Sequence, residues 1–533
     1  MGVLFANTYA STDDERMNQY DVLHYDLAIR FNIPQKTFSG SVGIDANILQ
    51  QTDKLILSAS KPTLTIDSII DDNIRLPFQH QNNYLTITMP EAIPHGGAIK
   101  ATIYYHGFAD FDGAYENGGV YITSVEGKPY LATASEPRFA HTWWPCKDTP
   151  SDKATASITI TVPSALTAVS NGTLIKTTHD AETTTYVWST QYPIATYLVS
   201  VAAAEYKEFS ETYKRIDGKE MPITYYVFPE DFENAKIDFQ NTSKILEFFA
   251  ATFCEYPFIN EKYGYAEVIG DVTMENQTIS SIEKSLITGT KQSEITFVHE
   301  TAHQWWGNFV TPVNWKNTWL NEGFATYAEA LYLEHTEGRA AYDHHIRRMM
   351  SFKPGDLAGS VIGQTDTAFW DSFSARVYFK GAIVLHMLRS MMGDSAFFSA
   401  MKIYLSHQYQ SVTTEDFISA CETSYGKSLT WFFDQWVYAS TDSIDRPELY
   451  YQWSADSSSN NHQVSINLEQ RTASQLLYRL PFSISVQTQD SSYSFPVIDS
   501  LATQSFILNV PNKPTNIFID KENAVFKTLK HRN

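Results

Sequence analysis

The spacing of apolar residues changes twice along this chain, and each change predicts a different kind of fold. From about residue 20 to 206, short runs such as VGIDANI (42–48) and ASITITV (156–162) alternate apolar and polar residues. Period-two alternation broken by Gly, Pro and Asn predicts antiparallel β-sheet. Beyond about residue 209 the apolar spacing becomes helical, around 231–253, 293–308, 321–335, 376–391, 395–407 and 414–438. After residue 446 strand patterns return, so the sequence predicts a multidomain α+β protein.

A chain of 533 residues is too long for one hydrophobic core, since domains average roughly 150 residues. The changes of pattern divide it into three predicted domains. We expect a β domain at 1–208, a mainly helical domain at 209–446 and a small β-sandwich at 447–533.

The charge balance and the cysteine count exclude several classes of protein. There are 39 Lys plus Arg against 60 Asp plus Glu, a formal charge of -21, which repels nucleic acids and anionic lipid surfaces. Three dispersed cysteines exclude a disulfide framework and a cysteine-rich metal site. No apolar run approaches the ~20 residues of a membrane span. We expect a monomer by default.

The first ten residues, MGVLFANTYA, resemble the clipped remnant of an export signal. On that basis we favour a periplasmic or secreted protein over a cytoplasmic one.

The motif that points to chemistry is His-Glu-Thr-Ala-His at 299–303, inside a run with helical spacing. His299 and His303, four residues apart, share one helix face and can bind one cation. Glu322 lies nineteen residues after His303, on a second helix-like segment, and offers a third ligand. Three N/O ligands with a vacant fourth position describe catalytic zinc. The competing interpretation is a histidine pair that only packs in a core.

Peptide hydrolysis is the chemistry that this motif favours. Glu300 lies beside the two histidines and can take a proton from a metal-activated water, then pass it to the leaving amine. Glu329, seven residues after Glu322, can orient a ligand histidine through its free ring N–H, or can be a surface carboxylate. We expect one Zn²⁺ per chain, although cobalt or manganese also suit these ligands.

With this motif, the eighteen-residue gap, NEGFATYAE (321–329) and VTMEN (272–276), the chain resembles the aminopeptidase N and leukotriene-epoxide hydrolase family of zinc metallopeptidases. The likeness implies a β saddle, a thermolysin-like catalytic domain and a β-sandwich. It also implies that Glu275, and Glu136 in ATASEPRF, bind the α-amine of the substrate. Met274 would line the pocket for the first side chain, beside Asn276 of the same signature. VYFKG (377–381) is similar to the family's Tyr-x-Lys-Gly segment, which makes Tyr378 the hydroxyl that stabilises the oxyanion.

The function implied is removal of single residues from peptides with a free amino terminus. Two carboxylates that face an ammonium favour an exopeptidase, because a blocked peptide would leave their buried charges uncompensated.

Two departures from the family pattern bear on specificity. Val272 and Thr273 replace the small residues usual in relatives. The sequence also ends after the β-sandwich, where many relatives add a helical domain, so we expect a more open cleft.

Three alternatives remain at this point. The segment PCKDTPSDK (145–153) resembles the branch that hydrolyses lipid epoxides, whose chemistry is thought to need an acidic residue at a fixed distance before the tyrosine. Here Trp370 lies eight residues before Tyr378 and Asp371 seven. A thermolysin-like endopeptidase would share the metal site but not the amine-binding carboxylates. A non-catalytic scaffold would keep only the fold.

Overall fold

The computed structural model describes residues 15–111, 113, 117–125, 127–270, 273–366, 369–439, 446–456 and 462–532. The export remnant proposed at 1–10 and the departure at Val272 lie outside these residues. The chain divides into two compact units. The first comprises residues 1–315, 365–369 and 405–413, and the second residues 316–364, 370–404 and 414–533. The predicted domain boundaries at 208 and 446 each fall within one unit and stay a prediction.

The first unit is rich in strands, as its alternating sequence predicts. Its strands are β1 (Tyr20–Asn32), β2 (Thr37–Ile48), β3 (Thr52–Ser58), β4 (Leu64–Asp71), β5 (Ile74–Arg75), β6 (Phe78–Gln81), β7 (Tyr84–Ile93), β8 (Ala98–Phe108), β9 (Gly119–Val125), β10 (Lys128–Ala134), β11 (Lys153–Pro163), β12 (Thr167–Ser170), β13 (Thr173–His179), β14 (Thr183–Ala195), β15 (Val201–Ala204), β16 (Lys207–Lys214), β17 (Glu220–Val227), β18 (Tyr263–Val268), β19 (Ser280–Glu283), β20 (Thr311–Pro312) and β21 (Ser411–Val412). Its helices are α1 (Phe232–Asp238), α2 (Thr242–Thr252) and α3 (Glu294–Ala302).

These strands form sheets that are mostly antiparallel. The largest has eight strands in the order β13-β14-β11-β1-β2-β8-β4-β5, in which only β1 and β11 run parallel. Smaller sheets have the orders β12-β15-β10-β9 and β3-β7-β6. Along β11 the residues alternate between buried and half-buried positions, so the apolar set faces one side of the sheet.

The second unit combines helices with the C-terminal strands. Its helices are α4 (Trp319–Glu337), α5 (Arg339–Met350), α6 (Phe369–Ser372, of which Phe369 falls in the first unit), α7 (Gly381–Met392), α8 (Asp394–Tyr404), α9 (Thr414–Tyr425) and α10 (Thr430–Phe433). Its strands are β22 (Glu448–Asp456), β23 (His462–Arg471), β24 (Leu480–Thr488), β25 (Ser492–Asp499), β26 (Thr503–Val510), β27 (Pro514–Ile519) and β28 (Thr528–His531). They form two sheets, β26-β23-β22-β28 and β25-β24-β27. The α+β architecture with a strand-rich start, a helical middle and C-terminal strands is therefore confirmed.

The region predicted as mainly helical also contains a four-stranded sheet, β16-β17-β18-β19. Strands β17, β18 and β19 run parallel and are buried over most of their length, so their sequences lack the period-two signal. The predicted helix at 293–308 ends earlier, at Ala302 with His303 as its C-cap. The chain then turns through Gly307, whose φ of 118° requires glycine.

Helix α5 was not predicted. Nine of its twelve residues are Arg, Ala, Tyr, Asp or His, so few strongly apolar residues mark the buried face of the helix. Its buried residues Tyr342, Ile346, Met349 and Met350 nevertheless have helical spacing. Among the described helices, none combines the length and the hydropathy needed to cross a bilayer.

Candidate functional site

Helix α3 places the two motif histidines together. The Nε2 atoms of His299 and His303 lie 3.1 Å apart, with the rings nearly perpendicular. The Nδ1 atom of His303 lies 2.9 Å from the carbonyl oxygen of Trp306. A carbonyl only accepts, so Nδ1 carries the hydrogen and the lone pair of the neutral ring is on Nε2. Two zinc–nitrogen bonds of about 2.0–2.1 Å at a tetrahedral angle span roughly 3.3 Å, so this histidine pair fits a zinc ion.

Hydroxyl groups hold α3 against the neighbouring sheet. Tyr263 and Tyr265 on β18 place their hydroxyls 3.1 and 2.9 Å from Oγ1 of Thr301, which also donates to the Phe297 carbonyl at 2.7 Å. Burial, together with the nearby charge of Glu300, raises the pKa of Tyr265 to about 12, so its hydroxyl remains a donor even at alkaline pH. Glu300 itself is buried between the two histidine positions. The network fixes the rotation of α3 and therefore the direction of the face that carries His299 and His303.

The segment 274–276 runs beside β19. Met274 exchanges backbone hydrogen bonds with Ser281 at 3.0 and 2.8 Å, and the Asn276 amide donates to the Ser281 hydroxyl at 3.0 Å. Met274, Glu275 and Asn276 are all buried. Thr273, which together with Val272 departs from the family signature, accepts a hydrogen bond from the Glu283 backbone at 3.2 Å. The strand-like pairing of Met274 fixes which way the Glu275 side chain can leave the backbone.

The structure brings both proposed amine-binding carboxylates to the histidine helix. A Glu275 oxygen lies 3.9 Å from Nδ1 of His303, and oxygens of Glu136 and Glu275 lie within 4.8 Å of each other. Glu275 is buried and Glu136 half-buried. Two carboxylates this close repel each other, and a cation such as an α-ammonium would relieve that repulsion.

In the second unit, Glu322 lies in the first turn of α4 and is buried. The next residue, Gly323, meets Gly381 at the start of α7, where an added Cβ on Gly381 would lie 2.9 Å from the Gly323 Cα. Only glycines permit this approach between the two helices.

Tyr378 lies half-buried in a single π-helical turn, Arg376–Lys380, that leads directly into α7. Such turns are rare and are often found at functional sites. Lys380 anchors the turn by donating to the Gly359 carbonyl at 2.5 Å. Gly381 lies three residues after Tyr378, so the same glycine contact fixes the turn relative to the helix that carries Glu322.

Two acidic residues from the sequence predictions have other partners. The Glu329 carboxylate lies 2.9 Å from Nε2 of His345 on α5, a histidine that sequence reasoning did not single out. Its role toward a ligand histidine stays a prediction. Asp371, from the epoxide alternative, lies 2.8 Å from the Arg376 guanidinium and accepts from the Gln364 backbone at 2.5 Å. The Trp370 side chain lies outside the described residues.

Sequence reasoning also missed Gln304 and Asn308, which are fully buried next to the histidine helix. Both amides donate to the backbone carbonyl of Glu275, at 3.1 and 2.7 Å. The sequence did offer a signal for these two residues, because they are polar side chains that closely follow the histidine motif in a run of aromatic residues.

Solved structures with a similar fold span from 79% to 98% of the chain. Aminopeptidase A of Legionella pneumophila, solved with aspartic acid, covers 98% of this chain and 60% of its own, at a TM-score of 0.83 and 19% identity. An M1 zinc metallopeptidase of Deinococcus radiodurans covers 79% of this chain and 94% of its own, at 0.68 and 23%. At these identities the likeness shows the fold.

Curated relatives that are similar in sequence have aminopeptidase names. Human glutamyl aminopeptidase is 27% identical over 450 residues, 78% of this chain and 46% of that protein. Aminopeptidase N of Lactococcus lactis is 28% identical over 442 residues, 78% of this chain and 50% of that protein. The chain spans about half the length of the curated relatives it matches.

Family models decide the assignment. The peptidase M1 N-terminal domain matches residues 22–198, and the peptidase family M1 domain matches residues 237–436, which include the histidine helix, α4 and the π-helical turn. Together these models of one family match well over half of the chain. The chain therefore belongs to the M1 family of peptidases.

Proposed function

We propose that this protein is a zinc-dependent aminopeptidase that hydrolyses the first bond of peptides with a free amino terminus. The observation that carries the proposal is the 3.9 Å distance between the Glu275 carboxylate and the His303 ring. This short distance supports an anionic pocket for an ammonium beside the histidine pair that we assign to the metal. A peptide held there by its α-amine would present its first peptide bond to the metal, and no later one.

We assign one zinc ion to His299, His303 and Glu322, on the ligand chemistry and on the family motif. The ion supplies Lewis acidity, which lowers the pKa of water to about 7 and polarises a carbonyl. The similar structure from Deinococcus radiodurans, an M1 zinc metallopeptidase, supports this choice. The donor set of two imidazoles and one carboxylate is that of catalytic rather than structural zinc.

The residues of the chain then perform the proton transfers and bind the substrate. Glu300 takes a proton from the attacking water and returns it to the leaving amine. The Tyr378 hydroxyl donates to the oxyanion of the tetrahedral intermediate. Glu275 and Glu136 bind the α-ammonium, while Met274 lines the pocket for the first side chain and Asn276 flanks it.

The same resemblance supports a three-part fold for this chain. The N-terminal sheets would form the family's β saddle, the helical region its thermolysin-like domain, and the two C-terminal sheets a β-sandwich.

The test compares a short peptide with its N-acetylated twin by mass spectrometry, before chelation, after chelation and after zinc is restored. We expect stepwise loss of single residues from the free peptide only, and only with the metal present. Glu300→Gln should reduce turnover by more than about 100-fold, whereas Glu294→Gln on the same helix should retain it. Equal or internal cleavage of the acetylated twin would show an endopeptidase instead. Absence of all cleavage, with turnover of a lipid epoxide, would favour the other branch of the family, and no turnover at all a scaffold.

A further inference from the structure

The segment that carries Glu275 is bound to the histidine helix by two buried side-chain amides. Gln304, the residue after His303, accepts from the Thr278 backbone N–H at 3.0 Å through Oε1 and donates to the Glu275 carbonyl at 3.1 Å through Nε2. Its amide therefore spans the turn from 275 to 278. Both side-chain groups of Gln304 are used, and the side chain is fully buried.

Asn308 makes a second connection between the same two segments. Its backbone N–H donates to the His303 carbonyl at 3.1 Å, and its side-chain amide donates to the Glu275 carbonyl at 2.7 Å. Lys153 holds this residue from the other side by donating to the Asn308 carbonyl at 2.7 Å. One residue thus joins the backbone of a histidine of the metal pair to the backbone of the amine-binding glutamate.

The turn that these amides hold has a strained conformation. Thr278 has φ of +67°, which is a genuine outlier for a β-branched residue. Such strain persists only where the surroundings over-determine the backbone. Here they do, because the Gly172 backbone donates to the Thr278 hydroxyl at 2.8 Å and Lys262 donates to its carbonyl at 3.3 Å.

We propose that Gln304 and Asn308 are positioning residues that fix the distance between the histidine pair and the α-amine pocket. This inference rests on the proposed function, because it assumes that Glu275 binds the α-ammonium. The distance from metal to ammonium determines which peptide bond reaches the metal. The amide clamp formed by Gln304 and Asn308 therefore acts on the choice of bond and on amine recognition, rather than on metal binding.

The experiment uses two inhibitors that bind the metal equally and differ only in the amine. One is an amino acid hydroxamate, and the other is its des-amino analogue. The inhibition constant of the des-amino analogue divided by that of the amino acid hydroxamate, both measured on the zinc-loaded protein, reports amine recognition alone. In Gln304→Met and Asn308→Ala this ratio should fall by about tenfold, the loss expected for a misaligned charged hydrogen bond. The des-amino constant and the zinc content should stay within about twofold of the parent protein, as expected for a loss that does not reach the metal.

The chain provides a matched control for loss of a buried glutamine. Gln470 spans the backbone N–H and carbonyl of Tyr478 at 2.5 and 3.0 Å, as Gln304 spans its turn, but it lies on β23 in the C-terminal strands. It also donates to the buried Asp499 carboxylate at 3.2 Å. Gln470→Met should destabilise the protein without changing the inhibitor ratio.

A double-mutant cycle with Glu275→Gln tests whether the clamp acts through Glu275. If it does, Gln304→Met or Asn308→Ala causes little further loss of the ratio in that background. The inference is overturned by an unchanged ratio, by an equal rise of both inhibition constants, or by a full further loss on top of Glu275→Gln. If Asn308→Ala does not fold, Gln304→Met decides alone. A parent protein that does not distinguish the two inhibitors would instead refute amine recognition, and with it the proposed function.

Discussion

The two units of this chain hold their candidate site residues by different physical means. In the first unit, buried hydrogen bonds position Glu275: the amide clamp reaches its carbonyl, and Lys153 and Lys262 support the clamp and the turn beside it. In the second unit, close packing positions Glu322 and Tyr378, through a contact between two glycines on α4 and α7.

The difference predicts what each half tolerates. A buried polar network fails when a donor or acceptor loses its partner, even if the volume is unchanged. A backbone contact between helices fails when volume is added, even if the added group is apolar. A substitution that removes hydrogen bonds at constant volume should therefore destabilise the first unit, whereas one that adds volume without removing hydrogen bonds should destabilise the second.

The largest effect should come from added volume in the second unit. Gly381→Ala places a Cβ 2.9 Å from the Gly323 Cα, a backbone atom that cannot move aside alone, so the two helices must move apart. We expect the free energy of unfolding to fall by about 3 kcal/mol, against the gain of about 1 kcal/mol that alanine usually brings in a helix. Gly355 has open space at the same position and a permissive backbone, so Gly355→Ala should change stability by less than about 0.5 kcal/mol. Denaturant unfolding of the pair checks this, and equal stability of both variants would contradict it.

A smaller loss should follow from removing hydrogen bonds in the first unit at constant volume. Gln304→Met deprives the Thr278 N–H and the Glu275 carbonyl of a buried partner. We expect a loss of about 2 kcal/mol, and at least as large a loss for Gln470→Met, because both glutamines span backbone groups and Gln470 also donates to the buried Asp499 carboxylate. Thermal unfolding measures both. A neutral result for Gln304→Met would mean that the clamp does not contribute to stability.

The buried lysine beside the Thr278 turn should make stability depend on alkaline pH. Burial lowers the pKa of Lys262 to about 7, against about 10.4 in the unfolded chain. Between these values the unfolded chain binds more protons, so this group makes stability rise with pH by at most about 1.4 kcal/mol per unit. Lys262→Met should reduce the slope between pH 7 and 10, and the slope that remains should come from Lys153, whose pKa burial also lowers to about 7. Denaturant titrations at several pH values check this, and an unchanged slope would show that Lys262 titrates normally.

In the second unit, buried His386 should make stability depend on acidic pH, over a narrower pH range than that of Lys262 in the first unit. Burial lowers the pKa of His386 to about 4, and its ring lies between the Tyr342 hydroxyl at 2.7 Å and the Asn523 carbonyl at 2.9 Å. The unfolded chain takes up a proton near pH 6.5, so stability from this group is lost as pH falls from about 6.5 to 4. His386→Gln should reduce this loss, as thermal unfolding at pH 7 and pH 5 would measure. A loss that stays the same in the variant would place its origin in other groups.

Some of this site was predictable because it depends on neighbours in sequence. A spacing of four residues puts His299 and His303 on one face of α3, and the structure keeps their Nε2 atoms 3.1 Å apart although His303 is already the C-cap. The order of strands, helices and strands was predictable for the same reason, since periodicity is a local property. The parallel strands β17, β18 and β19 were not predicted, because strands buried on both faces do not alternate apolar and polar residues.

The sequence by itself determined the family motif, the residue types proposed as metal ligands and the α+β order of the chain. Tertiary structure alone decided that Glu136 and Glu275 lie together, that two amides after the histidine motif bind the Glu275 carbonyl, and that Glu329 meets His345. Those contacts join segments between 16 and 139 residues apart. Pattern along the chain describes how each segment folds locally, whereas such contacts depend on how the segments pack, which local spacing does not encode.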